Sequence, residues 1–502
     1  MLRFDHKLMR IIVFAIILFQ SGIQKVHCQE TILDSVFSFN AGRVKTIVAL
    51  DLISKQTGFR FTYDSRLIDT ERITDMVFES VTLKNILRNI TENDSIDISI
   101  IDKFIVFSRK LPPSYISGIV TDEESGEPLL FATIALRNSG RGAVTNNDGQ
   151  FRLNISREML NDTIYVSMLG YKTAKIPIIG IINNNIQIAM KRDFIAIPAI
   201  IIKSQTPQEI ISKAVKAIPE NYSKTPVYLA GFYREGALKR KKLQNYSEAV
   251  LMIFKDSYSN SLPNDQIKVL KSRKLENADT LTIRLKAGLK TSIELDGVQN
   301  LFDFLGSESM PDYIYMVTDK VTYEDEAAYV IEFGPRRPVE MPLCNGTLYI
   351  NTADFAILRA EYELNEAYLL RMKDLFIASS IRGFTTWPIS VKYTISYRKY
   401  NDVYYLNHVR SDLNFLSRKN RSLFNTPFTV FFELAITNIE TNNVVRFDRG
   451  EQAPVNSVFS RTITNYDAEF WGNQDFLRPE DNLLKELKNM KVNIEEFSQL
   501  ED

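Results

Sequence analysis

Between Pro226 and Phe459 the chain is a succession of runs in which Tyr, Phe, Val and Ile alternate with polar residues. They are "MPDYIYMVT", "AAYVIEFG", "GTLYINTADFAILRAEYEL", "SVKYTISYRKYNDVYYLNHV" and "FTVFFELAITNIE". A period of two places the apolar side chains on one face of a pleated strand, a surface that β-branched and aromatic residues fit well. Several runs double back through short turns, one of them at Asn401-Asp402, so they predict hairpins in a large antiparallel sheet. Packing has to hold such a sheet together, because Cys28 and Cys344 are the only cysteines in 502 residues.

The first thirty residues, "MLRFDHKLMRIIVFAIILFQSGIQKVHCQE", set Arg3, Lys7 and Arg10 before an apolar core from Ile11 to Phe19. That is the layout of a secretory signal peptide, and the core is too short to span a bilayer. Val26 and Cys28 fit the −3 and −1 positions of a cleavage site, which gives residues 1–28 as the signal and Gln29 as the mature N-terminus. Cys344 is then the one remaining thiol, and an intramolecular disulfide is excluded. Sixty-one basic and sixty-one acidic residues cancel, so no global field draws the protein to nucleic acid or to an anionic membrane; such a partner needs a local patch. The expectation is an exported protein in the periplasm or on the periplasmic face of the outer membrane, peripheral to the membrane at most, with no nucleic-acid partner.

Residues 30–109 read as a small α+β domain. "VFSFN" alternates as a strand, and Val44, Ile47, Val48, Leu52 and Ile53 recur at helical spacing until Gly58. Two strands, a second helix marked by Val81, Leu83, Ile86, Leu87 and Ile90, and the hairpin "IDISIIDKFIVFS" follow. With "FSFN", "ISKQTGFRFTYD", "VTLKNILRNI" and "KFIVFSR", this order resembles the secretin and TonB short N-terminal (STN) domain. The resemblance implies a periplasmic module that contacts signalling or envelope partners.

The prolines of "RKLPPSY" set a linker over 110–114. From 115 to 203 short strands are punctuated by "EESGEP", "NSGRG" and "NNDG", the spacing of a small antiparallel sandwich. Ser117, Gly118, Gly126, Pro128, Leu129, Ala132, Thr145, Asp148, Gly149, Phe151 and "VSMLGYKT" resemble the carboxypeptidase-D regulatory-like domain, which also precedes the plug of many TonB-dependent receptors. "TNNDGQF" is read as a turn rather than a calcium loop, since Val144 stands where the first Asp belongs and no closing Glu follows.

A capping box at Thr206, Pro207 and Glu209 opens a helix with Ile210, Ile211, Ala214, Val215 and Ile218 on one face. Residues 206–475 form the antiparallel β-rich domain, and 476–502 a helical tail. "GFYREG", "SEAVLMIFKDSY", "KVLKSRK" and "NYDAEFWGNQDFLRPEDNLLKEL" resemble the uncharacterised C-terminal region of envelope proteins known by their carboxypeptidase-like regulatory domain. The pair "GTLYI" and "AILRAEYEL" is similar to strand pairs of half-barrel lipoprotein carriers of the LolA type, which implies a curved sheet. The fold class is therefore multidomain and β-rich: an STN-like α+β domain, a regulatory-like β-sandwich and a large antiparallel, half-barrel-like sheet with flanking helices.

A zinc carboxypeptidase needs histidine and carboxylate ligands, and His408 is the single histidine after the signal. Set in "YYLNHV", it reads as a hydrogen-bonded sheet residue. Nucleophile elbow, phosphate-loop and dinucleotide motifs are absent from the sequence, and neither metal nor cofactor is expected. "KRKK", Lys239 to Lys242, reads as an exposed turn. Tyr393, Tyr397, Tyr405 and Trp471 are the candidate ligand-binding residues, as stacking surfaces for a sugar or an apolar molecule. The expected function is non-catalytic binding or adaptation in a Gram-negative envelope, with links to TonB-dependent uptake or signalling and an envelope protein partner held by the STN-like domain. Two alternatives stand beside it: a half-barrel carrier of a lipid or other apolar ligand, and an unrecognised glycan-active enzyme whose paired carboxylates leave no trace in sequence.

Overall fold

The computed structural model describes residues 32–33, 35–64, 66–92, 96–101, 103–109, 114–193, 205–260, 262–276, 283–285, 288–337, 342–370, 376–380, 383–453 and 476–489. Residues 1–28, read above as a signal peptide, nearly all of the expected 110–114 linker, Trp471 and residues beyond 489 lie outside them. The chain divides into two compact units, Met1–Pro112 and Pro113–Asp502.

The first unit runs β1 (Val36–Lys45), α1 (Thr46–Thr57), β2 (Arg60–Tyr63), β3 (Ile73–Thr82), α2 (Leu83–Thr91), β4 (Ile96–Ile101) and β5 (Phe104–Arg109). Strand, helix, two strands, helix, two strands is the order that the periodicities predict. β1 pairs with β3, while β5 pairs in parallel with β2 and antiparallel with β4. α1 stops where Gly58 turns left-handed at φ 77° and its N–H closes on the Ser54 carbonyl. Ala49 and Ile53 of α1 and Leu83, Ile86, Leu87 and Ile90 of α2 make the core with Met76 and Ile105.

The second unit opens with a β-sandwich: β6 (Ser114–Asp122), β7 (Thr133–Leu136), β8 (Gly142–Val144), β9 (Gln150–Ile155), β10 (Thr163–Ser167), β11 (Ala174–Pro177) and β12 (Asn185–Met190). Its two sheets have the orders β11-β10-β7-β8 and β12-β6-β9. Ile116, Val120, Ile134, Phe151, Leu153, Ile164 and Val166 are sealed between them.

α3 (Pro207–Asn221) follows, with the predicted capping box: the Glu209 N–H donates to Thr206 Oγ1 at 3.3 Å and the Thr206 N–H to Glu209 Oε2 at 2.8 Å. Then come β13 (Val227–Lys239), β14 (Lys242–Lys255), β15 (Gln266–Glu276), β16 (Ile283–Leu285), α4 (Gly288–Glu294), β17 (Tyr313–Tyr323), β18 (Glu326–Pro335), β19 (Cys344–Asn351), β20 (Ile357–Leu364), β21 (Ile377–Ser380), β22 (Phe384–Tyr400), β23 (Val403–Lys419), β24 (Asn425–Glu440) and α5 (Asp481–Asn489). Ten of these strands form one antiparallel sheet in the order β15-β14-β13-β24-β23-β22-β20-β19-β18-β17. The sheet is not closed. β15 and β17 are its edges, and β16 pairs with β21 apart from it.

The inner face carries Tyr315, Phe333, Tyr362, Tyr393 and Phe432 in one register row. Ile210, Ile211, Ala214 and Ile218 of α3, with Leu289, Ile293, Phe304 and Leu305, fill the space over this face. Cys344 is a free thiol buried there, and burial pushes it up to about 12, so it stays protonated at neutral pH. No helix among the described residues is long and apolar enough to cross a membrane.

Candidate functional site

One register row crosses all ten strands on the opposite face. From edge to edge it reads Met316, Glu332, Thr347, Glu361, Thr394, Arg410, Glu433, Arg234, Glu248 and Arg273. The last five alternate in charge, a cross-strand ladder. Glu433 is its hub: Oε2 lies 2.6 Å from Arg234 and 3.0 Å from Arg410, while Oε1 accepts the His408 Nε2–H at 2.7 Å. Arg273 Nε donates to Glu248 at 2.6 Å, and the Tyr246 hydroxyl bonds the same carboxylate. Burial would raise the Glu433 pKa, but Arg234, Arg410 and His408 outweigh it and hold the carboxyl well below the usual range. Burial instead pushes His408 below the ordinary imidazole value against the pull of Glu433. Its Nδ1 is buried without a hydrogen-bond partner, so a second proton there would go unsatisfied. His408 is thus the neutral, hydrogen-bonded sheet residue that its setting predicts.

The sandwich and α5 cover this half of the face. Phe131 lies against His408 with ring centroids 4.7 Å apart, and the buried Arg398 donates to the Gly140 carbonyl at 2.7 Å. Gly140 also accepts the Ile439 N–H at 3.1 Å, and a Cβ there would sit 2.2 Å from the Ile439 carbonyl oxygen. The "NNDG" turn reaches α5: Asp148 Oδ2 accepts the Asp481 N–H at 2.7 Å, and Asn147 donates to Glu480 at 3.1 Å. Gly149 supplies the positive φ of 72° that closes the turn. Phe476, Leu477, Leu483, Leu484 and Leu487 then pack on Phe232, Tyr246, Val250 and Phe431.

The tip of the β17–β18 hairpin also meets the sandwich, where the Gly170 N–H donates to the Thr322 carbonyl at 2.8 Å. Here burial is the main cause that lifts Glu324 to about 7, with Lys399 and Arg398 opposing. Since the folded value exceeds the ordinary 4.5, ionisation opposes folding, and stability present below pH 4.5 is lost as pH rises through 7. Glu324→Gln should therefore stabilise the protein by about 1 kcal/mol at pH 8 and leave it unchanged at pH 4. Urea unfolding at both pH values measures this.

The other half of the row is open. Glu332, Thr347, Glu361 and Thr394 line a cleft of 470 Å³ with Asn345, Glu363 and Lys392. Glu361 is ion-paired with Arg359 at 2.6 Å and Glu363 with Lys392 at 3.3 Å. The arrangement offers carboxylates, hydroxyls and an ammonium to a polar ligand.

The four aromatic candidates separate. Tyr393 is half-buried and sits on the inner face, where its ring packs on Tyr362 at 5.2 Å, on the side of β22 away from Thr394 and the cleft carboxylates. Tyr397 is buried, and its hydroxyl donates to Asp296 at 2.8 Å inside the core. Tyr405 is buried opposite Arg398, because a bulge at Asn407 shifts the β22–β23 register beyond Ser396. Trp471 is outside the described residues. Neither Tyr397 nor Tyr405 presents a ring face to solvent. The cleft carboxylates escaped the sequence reading because β18 and β20 bring them together across non-adjacent strands. The ladder did leave a signal, a charge amid apolar neighbours in "GFYREG", "SEAVLMIF" and "FFELAI".

Residues 116–201 match the family model of the CarboxypepD_reg-like domain. Comparison with curated proteins finds no match. Among solved structures, a DUF1329 family protein from Desulfovibrio piger is 10% identical, covering 48% of this chain and 96% of that chain at a TM-score of 0.23. The MucA/MucB complex of Pseudomonas aeruginosa is 10% identical, covering 47% and 99% at a TM-score of 0.17. At those TM-scores neither likeness bears on function.

Proposed function

We propose that this protein is an exported, non-catalytic envelope adaptor that holds a polar, hydroxyl-rich ligand such as a glycan in the open cleft and meets a protein partner through its N-terminal unit. The cleft itself is the observation that carries the reading: the uncovered half of a polar row whose other half is locked under the sandwich. A rigid sheet with ion-paired carboxylates, two threonines and an asparagine suits hydrogen bonding to sugar hydroxyls. The CarboxypepD_reg-like match supports an accessory role for the sandwich, which here braces the sheet. An apolar carrier needs room on the inner face, where α3, Leu289 and Phe304 already sit. A glycosidase needs an uncommitted carboxylate pair, whereas Glu361 and Glu363 are each held by a cation.

Native mass spectrometry of the purified chain, alone and with a panel of neutral and anionic oligosaccharides, tests this. The expected result is an intact saccharide adduct that Asn345→Ala and Glu361→Ala each weaken at least tenfold. Shortened saccharides would replace binding by turnover, and a copurified lipid would restore the carrier.

A further inference from the structure

The ends of five strands gather at one end of the large sheet. β13 and β14 are joined by "KRKK", with Lys239 opposite both Lys242 and Phe428. β23 and β24 are joined by "NRSLFN", and Phe384 at the start of β22 stands opposite Lys419. The segments 238–243, 383–390 and 417–428 together hold seven cations, Lys239 to Lys242, Arg418, Lys419 and Arg421, and no Asp or Glu. Glu486 of α5 approaches the first turn, where it accepts the Leu243 N–H at 3.1 Å. At the apex of the second, Leu423 is 93% and Phe424 79% exposed. Arg418 sits 5.9 Å over the half-buried Trp387 ring, and Lys239 lies 6.0 Å over Phe428.

We infer that this end of the sheet is a docking tip for an anionic lipid bilayer, with Leu423 and Phe424 entering the acyl boundary while the surrounding cations meet the headgroups. Two apolar side chains on a protruding turn have too little area for a protein interface, and a soluble polyanion gives them nothing to enter. Charge complementarity selects an anionic surface, and at physiological salt the attraction acts over about 8 Å, so the neutral balance of the whole chain does not cancel it. Each Lys or Arg near such a surface contributes roughly fivefold to partitioning.

Sedimentation of the full chain with phosphatidylcholine vesicles, with and without about one-third phosphatidylglycerol, tests the inference. Binding is expected only to the anionic vesicles and should weaken with added salt. Arg240→Gln, Lys241→Gln, Lys242→Gln and Arg421→Gln together should lower it by nearly three orders of magnitude, about 600-fold. Leu423→Ser with Phe424→Ser should lower it roughly tenfold or more. All six positions are exposed, so a thermal melt matching that of the parent chain shows that folding is intact. Equal binding to neutral vesicles, or no effect of either variant, overturns the inference. Loss with the charge variant alone also overturns it, because Leu423 and Phe424 then enter no acyl layer.

Discussion

Replacing Glu433 by Ala is expected to lower the free energy of unfolding by about 4 kcal/mol. The carboxylate is fully buried and joins three partners from the two flanking strands: Arg234 of β13, and Arg410 and His408 of β23. Removing it strands two guanidiniums under the sandwich with the partly buried Glu480 as their remaining shared anion, 2.8 Å from Arg234 and 3.7 Å from Arg410. Buried pairs are costly to break because the orphaned charge keeps its desolvation penalty, even where the intact pair adds little. Asp412→Ala is the control. That carboxylate also pairs with Arg410 but is 41% exposed, so its loss should cost below about 1 kcal/mol. Urea midpoints of the two variants decide the matter. Equal small losses would mean that water reaches the ladder and that the sandwich does not seal it. A large loss should also loosen the Phe131–His408 contact and make the sandwich more sensitive to protease.

The elements were legible because local chemistry sets them. Thr206, Pro207 and Glu209 start α3 where the capping box requires it, and Gly58 ends α1 through its left-handed backbone. The strands from β13 to β24 follow from alternation, and the regulatory-like sandwich from its turn residues. What the sequence hides is which faces meet. Arg234 and Glu433 are 199 residues apart, and only the β13–β24 pairing makes them neighbours. Tyr393 and Tyr397 share a face by strand period, but only the fold shows that it is the inner one, where Tyr393 packs on Tyr362 and Tyr397 is sealed by Tyr222 and Asp296. The basic tip was visible only as "KRKK", since its apolar apex lies in another hairpin some 180 residues on. Side-chain patterns specify strands, whereas sites arise from pairings that no local pattern encodes.

The burial of Tyr397 leads to the second large effect, at Asp296. Oδ2 of this fully buried carboxylate lies 2.9 Å from Lys255 and accepts the Tyr258 hydroxyl at 2.7 Å, and Oδ1 accepts the Tyr397 hydroxyl at 2.8 Å. Desolvation opposes the charge on Lys255, but Asp296 and Asp265 overcome it and raise its pKa. Asp296→Ala leaves the ammonium with Asp265 at 2.7 Å and two phenol hydroxyls without an acceptor, and should cost 3–5 kcal/mol, roughly the range for breaking a buried pair. Tyr397→Phe removes one hydrogen bond to a charged group and should cost about 2 kcal/mol. Because both act on one carboxylate, the double variant should cost less than the sum. Saccharide binding separates the inner face from the cleft. Tyr397→Phe should shift the urea midpoint and leave the affinity of the cleft unchanged, whereas Asn345→Ala should weaken binding. If Tyr397→Phe instead abolished binding without loss of stability, the ligand would have to reach the inner face, and the cleft would lose its assignment.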